Sequence, residues 1–508
     1  MIVMKFGGTS VQDAGAITRV GRIVRGRLKQ GPVVVVSAMA KVTDQLQAMG
    51  RDAAAGHLEA ALERARALRH RHEETAADLL PRRRLQPLLP DLHRRFDELE
   101  TLLRGIAAVG ELTPRTSDYV LSFGELLSSA IVAAAFSASG MDAVLVDSRE
   151  CVVTDAQHTR AVPLFRETNE RLVTRVRPLV EAGKVPVMAG FIGATVEGTT
   201  TTVGRGGSDF SAAIVGAALD CERIEIWTDV DGVKTTDPNL CVEARRLDEI
   251  SFDEAAEMAF FGAKVLHPAT LVPAMQKNIP VYVLNSLNPR SKGTCVRAHT
   301  QPSRSKVKAI TAKKGLTIIN ITAARHFNAH GFLHDVFQRF KNHQIQVDIV
   351  ATSEVSVSVT VDSKLHIGAL VEDLRQFTDV DIEPNKAIVC VIGEDLRGTP
   401  GMLAKVFTAI RDINVRMVSQ GSSEINISFV IEESDVPEAV RRLHRLLFAP
   451  ARRKANAKVK LGPEVTAAAA RASAAVNSLV FRSDEDEESS NAPTLARAAR
   501  SRTWGTRE

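Results

Sequence analysis

Short apolar runs alternate with helical patterns over the first three hundred residues. The helical patterns cover 14–28, 123–139, 163–182 and 208–219, and apolar runs of strand length separate them. This alternation predicts an α/β domain with a mostly parallel sheet sandwiched by helices. Ligands bind to such sheets beyond the carboxyl ends of the strands. The strand-length runs are IVMKF (2–6), PVVVVSA (32–38), AVLVD (143–147), VPVMAGFIG (185–193), RIEIWTDV (223–230) and PVYVLN (280–285).

One stretch of this region, 44–118, is helical in pattern and rich in Arg, Leu and Glu. Pro81, Pro87 and Pro90 are expected to break its helices, because proline lacks the backbone N–H and clashes with the preceding turn. We expect a helical insertion or lid within an N-terminal domain that spans 1–300.

A different rhythm begins after a linker-like stretch, 288–306. The order β-α-β-β-α occurs over 307–382 and again over 386–448, which indicates a duplicated, ferredoxin-like α+β unit. The additional strand VKAITAK (307–313) could complete one of the two sheets.

The last sixty residues, 449–508, differ in composition from the rest of the 508-residue chain. They carry eleven Lys and Arg against seven Asp and Glu, which is +4 of the net charge of +5. Because they contain few large apolar residues, they cannot bury a core and are expected to form a flexible tail. The body is therefore nearly neutral and gives no reason to expect nucleic-acid binding, although a weak contact between the tail and a polyanion is an alternative.

The whole chain has a globular composition, with 44% apolar and 25% charged residues. No apolar run approaches the roughly 18 residues that cross a bilayer, and the N-terminus MIVMKFGGTS lacks the pattern of a signal peptide. The five cysteines form no C-x-x-C pair, so neither a disulfide framework nor a zinc site is predicted, and no metal cluster is expected. We expect a cytoplasmic protein with reduced thiols and no membrane partner.

The most unusual stretch is TTVGRGGSDFSAA (201–213), where glycines precede a small-residue helix. It is not a dinucleotide fingerprint, because Asp209 stands where the third glycine would be, and the chain has no G-K-[ST] of a Walker loop. Glycines before a helix N-terminus favour anion binding, because backbone N–H groups approach the anion and the helix end is partly positive. The structural alternative is a glycine turn capped by Ser208.

Four further stretches place polar groups at the ends of strands and helices. Lys5, beside a glycine pair, can reach a phosphate from the end of the first strand. Taken singly, each stretch has an ordinary explanation, such as a turn or complementation of a helix dipole. Together they bring lysines, glycine loops and carboxylates to one edge of one sheet. The stretches are KFGGTS (5–10), SAMAKVTD (37–44), WTDVDGVKTTDP (227–238) and FGAKVLHP (261–268).

The motifs KFGGTS, VGRGGSD, WTDVDG with TTDP, and FGAKVLHP, in this order, resemble the signature set of the aspartate kinase family in the amino acid kinase superfamily. The resemblance runs from Ile2 to about Phe448, and the duplicated unit is similar to paired ACT domains. It implies transfer of the γ-phosphoryl group of ATP to the β-carboxylate of L-aspartate, the entry to lysine, threonine, methionine and diaminopimelate. It also implies ATP and Mg²⁺ as cofactors and a homodimer or higher homo-oligomer through the ACT domains.

The implied reaction agrees with the residue types. A carboxylate nucleophile is already ionised at neutral pH, so the task is to position an anion against a triphosphate and to supply positive charge. By resemblance, Lys5 and Asp209 are the catalytic residues, with Asp209 orienting Lys5 or the metal. No residue is assigned as a metal ligand.

The resemblance assigns the substrate aspartate to five residues. Arg205 would hold its α-carboxylate, which suits the planar guanidinium. Glu125 would pair with its ammonium group, the alternative being a glutamate that merely favours a helix dipole. Ser37, Thr43 and Ser208 would complete the pocket.

The resemblance assigns ATP to glycine N–H groups, to lysines and to polar residues near the nucleotide. Lys234 and Asn239 stand where many family members carry tyrosine and arginine, which leaves the contacts there open. The set is Lys5, Gly7, Gly8, Gly206, Gly207, Thr228, Asp229, Lys234, Asn239 and Lys264.

GFLHDVFQRF (331–340) and VDIVATSEVSVSVTVD (347–362) resemble the first ACT unit of lysine-sensitive members. Carboxylates there would bind effector ammonium groups, although an aspartate that only starts a strand is the alternative. The resemblance makes lysine the first candidate effector and threonine the second. His326 and Ala329 stand where those enzymes more often have methionine and serine, which leaves a weaker affinity or a different effector open. The implied effector residues are Phe332, Leu333, Val347, Asp348, Thr352, Ser353 and Glu354.

Two other functions compete with this interpretation. A kinase of the same fold could act on glutamate, carbamate or a nucleoside monophosphate, and a catalytically silent protein could use only its C-terminal half as an amino-acid sensor. The "KFGGTS" opening and the ACT-like units disfavour the former, and the filled catalytic positions disfavour the latter.

Overall fold

An eight-stranded sheet forms the centre of the N-terminal half in the computed structural model. Its strand order is β3-β4-β2-β1-β7-β9-β10-β8, and all neighbours run parallel except β9 and β10, which confirms the mostly parallel α/β prediction. The model describes residues 1–204, 206–263, 268–300, 306–323, 331–353, 355–421 and 423–448. The strands are β1 (Ile2–Phe6), β2 (Pro32–Val36), β3 (Ala143–Val146), β4 (Val185–Ala189), β7 (Ile224–Thr228), β8 (Glu249–Ser251), β9 (Val281–Asn285) and β10 (Thr294–Arg297), with a separate hairpin of β5 (Ile192–Ala194) and β6 (Thr200–Thr202).

Helices cover both faces of this sheet, and the strand period of two decides which residues meet them. Ile2 and Met4 of β1 pack into one core, whereas Val3 packs into the other core with residues of α8. Lys5 shares the face of Val3, so the alternation directs its side chain towards α8. The helices of this half are α1 (Ala14–Arg25), α2 (Val42–Ala54), α3 (Leu58–Leu79), α4 (Arg82–Val109), α5 (Pro114–Ala138), α6 (Phe165–Arg175), α7 (Arg177–Glu181), α8 (Gly207–Ala218), α9 (Phe252–Phe260) and α10 (Pro268–Gln276).

The helical stretch 44–118 is present, but one expectation about it is wrong. Pro81 precedes α4, whereas Pro87 and Pro90 lie inside it without ending it. Both prolines are exposed, so water can reach the carbonyl groups that lose a donor. Further along, Phe96 and other apolar residues of α4 are buried against the neighbouring helices, and this packing outweighs the local cost of proline.

Among the described helices, α5 is long and apolar enough to cross a membrane by length and composition. However, 83% of its most apolar window is buried inside the structure, which is typical of the central helix of a folded domain.

The C-terminal half is built on one six-stranded antiparallel sheet with the order β12-β13-β11-β14-β16-β15. We call it the regulatory sheet after the resemblance of this half to paired ACT domains. Its elements are β11 (Val307–Ala323), α11 (Phe332–Asn342), β12 (Val350–Thr352), β13 (Ser356–Asp362), α12 (Gly368–Arg375), β14 (Thr378–Gly393), α13 (Met402–Ala409), β15 (Met417–Ser419), β16 (Asn426–Glu432) and α14 (Val436–Phe448).

Two long strands, β11 and β14, run through both halves of the regulatory sheet. The segment 307–313 of β11 pairs with 388–393 of β14, and residues from Leu316 onward pair with β13. Val307 and Ile310 pack in the core of the second repeat, whereas Ile319 and Ile321 pack in that of the first. The additional strand therefore completes the second repeat, although it precedes the first in sequence.

The N-terminal and C-terminal halves share a core. Phe252 and Met258 of α9 belong to the same apolar cluster as Ala309 of β11 and Cys390 of β14. Side-chain hydrogen bonding adds to this junction, since Asn426 Nδ2 donates to Glu257 Oε2 at 2.8 Å.

Candidate active site

A cavity of about 700 Å³, here called the main cavity, opens at the carboxyl edge of the parallel sheet. It lies where β1 and β2 end and where α8 begins, which is the edge predicted from the topology. Of the residues assigned by resemblance, it brings together Lys5, Gly8, Ser37, Thr43, Glu125, Gly206, Gly207, Ser208 and Asp209.

Lys5 and Asp209 form an ion pair in the main cavity. Lys5 Nζ lies 2.7 Å from Asp209 Oδ1, in an ion pair rather than a well-aligned hydrogen bond. Both side chains are largely buried, with 11% and 17% of their surfaces exposed. The pair holds the ammonium group at the cavity wall, because Asp209 is in the first turn of α8 and Lys5 is on the β1 face that α8 covers.

The glycine loop before α8 has a backbone conformation and close contacts that favour glycine over residues with a side chain. Gly206 precedes α8 with a φ of 73°, in the left-handed region. A Cβ on Gly207 would lie 2.5 Å from Phe191, so a side chain does not fit. The alternative in which Ser208 caps the helix is wrong, since Gly206 occupies the cap position and no side chain caps it.

Not all glycine N–H groups are available to a ligand. The N–H of Gly7 donates to Trp227 O at 3.1 Å, and that of Gly207 donates to Gly204 O at 3.0 Å. Of the four assigned glycines, Gly8 and Gly206 therefore remain as candidate donors to an anion. Gly8 is tightly placed, because a Cβ there would come within 2.9 Å of Ala38 O.

Glu125 is a buried carboxyl group facing the main cavity. It is 3% exposed, and among the described residues its Oε2 has no hydrogen-bond partner. Burial raises its pKa to about 8, although a backbone hydrogen bond from Ala38 and the charge of Lys5 oppose this shift. The free protein thus holds Glu125 largely protonated at neutral pH, and a cationic ligand would favour its ionised form.

Several cavity residues were not assigned from the sequence. Lys41 takes a left-handed φ of 66° immediately before α2 and lines the cavity, and its place in SAMAKVTD was the available signal. Behind the cavity, the fully buried Asp118 accepts hydrogen bonds from Thr202 Oγ1 at 2.5 Å and from the backbone N–H of Thr159 at 3.0 Å. No sequence signal joined these three residues, because they are far apart in the chain.

The assigned nucleotide residues Lys234 and Asn239 lie elsewhere, on a cavity of about 350 Å³ that we call the second cavity. It is also lined by Thr236 and, from the regulatory sheet, by Thr311. Thr228 and Asp229 line neither cavity; they follow β7, where Thr228 Oγ1 donates to Asp229 Oδ1 at 3.1 Å.

The assigned effector residues are dispersed. Phe332 is buried in the core of the first repeat, whereas Leu333 is 44% exposed. Asp348 is already neutralised, because Lys313 Nζ lies 2.7 Å from each of its carboxylate oxygens. Ser353 Oγ hydrogen-bonds to Ser356 Oγ at 2.7 Å in a local turn. Val347 packs at the edge of the same core as Phe332, and Thr352 is exposed on β12.

The fold also brings together three metal-ligating residue types that the sequence pattern left apart. One donor atom each from Cys241, Glu243 and His444 lies within 4.8 Å of the others. Cys241 Sγ donates to Glu243 Oε2 at 3.1 Å, and His444 Nε2 lies 2.9 Å from Thr235 Oγ1. Hydrogen bonding explains each of these contacts, and the expectation of no metal site stays a prediction.

Five residues named in the sequence analysis lie outside the described ranges. They are Arg205, Lys264, His326, Ala329 and Glu354.

Comparison with known proteins agrees with this architecture. A model of the amino acid kinase family matches residues 1–285, and a model of the ACT domain matches 389–447. Aspartokinase 1, chloroplastic, of Arabidopsis thaliana is 36% identical over 461 residues, covering 88% of this chain and 80% of the relative. Lysine-sensitive aspartokinase 3 of Escherichia coli is 36% identical over 456 residues, covering 88% and 99%.

Solved structures of an aspartokinase have the same fold as this chain. The crystal structure of E. coli aspartokinase III in complex with aspartate and ADP, described as the R-state, superimposes with a TM-score of 0.77 at 34% identity, covering 88% of this chain and all of that chain. A lysine and aspartate complex of the same enzyme, described as the T-state, gives 0.74 at 35% identity. The chain belongs to the aspartokinase family, whose members transfer a phosphoryl group from ATP to the carboxyl group of aspartate.

Proposed function

We propose that the main cavity is where aspartate receives the γ-phosphoryl group and that Lys5 stabilises the transferring group. The observation that carries this proposal is the convergence of Lys5, Asp209 and Glu125 on one cavity. A fixed ammonium group in a largely buried position offsets the repulsion between a carboxylate nucleophile and a triphosphate. Asp209 is a positioning residue, because its carboxylate holds Lys5 Nζ at 2.7 Å.

The ammonium group of the substrate aspartate would stabilise the ionised form of Glu125. Among the described residues, Glu125 Oε2 has no hydrogen bond that an incoming ammonium group would have to break. An ammonium group beside it would form an ion pair with the ionised carboxylate and so lower its pKa. Arg205 would take the α-carboxylate, and Ser37, Thr43 and Ser208 would supply hydroxyl groups around the remaining atoms. This arrangement leaves the β-carboxylate to face Lys5.

ATP would lie between the main and second cavities. Gly8 and Gly206 would donate N–H groups to phosphate oxygens, with Gly7 and Gly207 keeping the backbone close. Thr228, Asp229, Lys234, Asn239 and Lys264 would contact the remainder of the nucleotide. Lys5 is in register with Ile226 of β7, and the segment after β7 leads directly to the second cavity at Val230.

Mg²⁺ fits the donor chemistry of the main cavity. The ion binds one or two carboxylates together with substrate phosphates, and Asp209 supplies a partly exposed carboxylate beside Lys5. When bound, the ion would neutralise phosphate charge.

One assay tests the activity. Purified protein is incubated with ATP, Mg²⁺, hydroxylamine and one candidate acceptor at a time, and the hydroxamate formed from the acyl phosphate is measured. Aspartate should give product and glutamate should not. Product with glutamate but not aspartate would favour a same-fold kinase with another acceptor. No product with any acceptor would favour a sensor without catalysis.

Regulation by lysine is a further part of the proposal. The E. coli relative is named as lysine-sensitive, and the carboxylate of Asp348 can bind an ammonium group once Lys313 moves away. Phe332, Leu333, Val347, Thr352, Ser353 and Glu354 would surround such an effector, with threonine as the second candidate. We also propose a homodimer through the regulatory sheet, which light scattering would detect. A cytoplasmic location stays a prediction, since the Arabidopsis relatives are named as chloroplastic.

A further inference from the structure

Lys41 lines the main cavity, and none of the assignments above gives it a role. It directly precedes α2, its side chain is exposed, and its backbone has a left-handed φ of 66°. Among the described residues, no carboxylate lies within ion-pair distance of its ammonium group. The main cavity therefore contains a lysine whose charge is not neutralised by a described partner.

This lysine changes the charge balance of the cavity. The described part of the lining contains two lysines, Lys5 and Lys41, and the carboxyl groups of Asp44, Glu125 and Asp209. Lys5 is already paired with Asp209 at 2.7 Å, and Glu125 gains a negative charge when an ammonium group binds beside it. An acceptor with two carboxylates thus meets one unpaired cation in the described lining, which is Lys41.

The backbone around Lys41 is fixed on both sides. Arg71 Nη1 donates to Ala40 O at 3.0 Å, and the backbone N–H of Gln45 donates to Lys41 O at 3.1 Å. A left-handed backbone is unfavourable for a residue with a Cβ atom, so these bonds hold Lys41 in a conformation that costs free energy. The base of the lysine side chain is therefore presented from a rigid position.

Backbone strain is concentrated at the main cavity. Among the described non-glycine residues with a positive φ, Lys41, Thr159 and Phe191 line this cavity. Residues held in this way cluster at functional sites, because the surrounding structure must maintain the strain. The remaining ones are all Asp, Asn or Gln, and Asp and Asn adopt this conformation more readily than most residues. They are Asp220, Asn278, Gln344, Asn385 and Asp395, none of which lines the cavity.

The order of the strands puts Lys41 on the side of the cavity proposed for aspartate. Lys41 follows β2, which lies between β1 and β4, whereas β7 and the path to the second cavity lie on the other side of β1. The loop that carries Lys41 also contacts the proposed ammonium partner, since Glu125 accepts a backbone hydrogen bond from Ala38. A carboxylate of the acceptor is therefore a closer ligand for Lys41 than the base or ribose of the nucleotide.

We propose that Lys41 binds a carboxylate of the acceptor amino acid and helps to select a dicarboxylate substrate. The inference rests on the proposal that the main cavity binds aspartate, and it adds a cation that the family resemblance does not assign. Lys41 would recognise a carboxylate and Glu125 the ammonium group, while Lys5 stays the group proposed to stabilise the transferring phosphoryl.

The test compares Lys41→Met, which removes the charge but keeps the length of the side chain, with Lys41→Arg, which keeps the charge. In Lys41→Met the Kd for aspartate, from isothermal titration in the presence of ADP, should rise about tenfold, the value of a charge-assisted hydrogen bond. Lys41→Arg should regain most of the lost affinity. The KM for aspartate should follow the Kd, with kcat and the KM for ATP nearly unchanged. Lys29→Met, at an exposed position before β2, is the matched control and should behave as wild type.

Salt dependence provides a readout that a purely structural role would not change. Because salt screens the attraction between exposed charges, the Kd for aspartate should rise more steeply with NaCl in wild type than in Lys41→Met. A further variant, Lys41→Gly, separates the backbone from the side chain. Glycine adopts a φ of 66° without strain, so the Tm of Lys41→Gly should equal or exceed that of wild type. Its Kd for aspartate should match that of Lys41→Met.

The outcomes separate this inference from the kinase proposal. If Lys41→Met binds aspartate as wild type does, or if Lys41→Arg is as defective as Lys41→Met, the charge of Lys41 does not bind the acceptor and the inference is wrong. A higher KM for ATP with an unchanged Kd for aspartate would also contradict it, because Lys41 would then serve the phosphates. The Kd is measured without turnover, so a wild type that binds aspartate but forms no aspartyl hydroxamate would overturn the kinase proposal alone.

Discussion

The main cavity and the effector region, which comprises the assigned effector residues on 332–354, differ in whether the residues assigned from sequence motifs lie together in the structure. In the main cavity, nine assigned residues from distant motifs converge on one space. In the effector region, Phe332 is a core residue, Leu333 points to solvent and Asp348 is bound by Lys313. The family resemblance assigns both sets of residues. Of these residues, as far as the structure describes them, only the first set lines a common cavity within one chain.

The difference follows from how each site is specified. Parallel strands place their carboxyl ends at one edge, so residues that follow strands meet there regardless of sequence separation. The effector residues lie on a helix and short strands at the edge of an antiparallel sheet, where no topological rule requires them to converge. Their arrangement depends on Lys313, and on a second subunit if the proposed dimer forms.

The largest effect is expected from Lys5→Ala. Because the ammonium group would stabilise charge that develops during transfer, kcat should fall by about 10²–10³, with a much smaller change in the KM for aspartate. Steady-state kinetics of hydroxamate formation measure both constants. Lys29→Ala, at an exposed position before β2, is the control and should behave as wild type. A change confined to KM would remove Lys5 from the transferring group.

Glu125→Gln should act mainly on aspartate binding. The amide cannot neutralise an ammonium group, so the KM for aspartate should rise at least about tenfold, the value of a charge-assisted hydrogen bond. In wild type this KM should fall as the pH rises towards about 8, since the free carboxyl group loses its proton there. In the variant this pH dependence should disappear, and an unchanged KM would show that Glu125 does not bind substrate.

The raised pKa of Glu125 also predicts how the stability of the folded protein depends on pH. A higher pH should improve aspartate binding but lower the stability. Because burial raises the folded-state pKa of Glu125 from 4.5 to about 8, its protonated form stabilises the protein fully below the ordinary carboxyl pKa, and this contribution is lost as the pH rises from that ordinary value to about 8. Glu125→Gln should therefore retain its Tm at alkaline pH better than wild type. Thermal melting at pH values from the ordinary carboxyl pKa of 4.5 up to and beyond about 8 measures this, and parallel curves for the two proteins would contradict the assigned pKa.

Paired variants can sharpen the effector side of the comparison. Asp348→Asn should weaken inhibition by lysine about tenfold or more. Lys313→Met should strengthen it, because the internal competitor for Asp348 is gone. Inhibition curves with lysine, and with threonine as the comparison ligand, provide the measurement. If both variants shift inhibition in the same direction, the ion pair only supports the fold, and a wild type fully active in millimolar lysine would exclude lysine.

The smallest effect is expected from removing residues 455–508. Their composition predicts no buried core, so kcat, KM and Tm should stay nearly unchanged. A matched deletion inside α14, which buries Val440 and Leu443, should unfold the second repeat. A loss of several degrees on deleting 455–508 alone would show that the tail docks on the body.

The sequence predicted what depends on local periodicity and sheet topology. The alternation in β1 directs Lys5 towards α8, and the glycines before α8 mark an anion-binding edge, so the centre of the site followed from the chain itself. Pro87 and Pro90 were misjudged because tertiary packing of α4 outweighs local propensity. No sequence signal placed Thr311 at the second cavity, since that position depends on β11 reaching the N-terminal half.

Strand β11 carries neighbouring residues that contact the proposed effector site and the second cavity. Lys313 forms an ion pair with Asp348, the carboxylate proposed to bind the effector. In the sequence, Lys313 follows Ala312 directly and lies two residues after Thr311, and both Thr311 and Ala312 line the second cavity. Lys313 also lies over the ring of Phe260 of α9, at 5.6 Å from its centroid. An effector that displaces Lys313 from Asp348 would thus act on the strand that forms one wall of the second cavity, beside which the nucleotide is proposed to bind. The proposed feedback would therefore require no relay through a chain of distant residues, because inhibitor and nucleotide would act on the same strand.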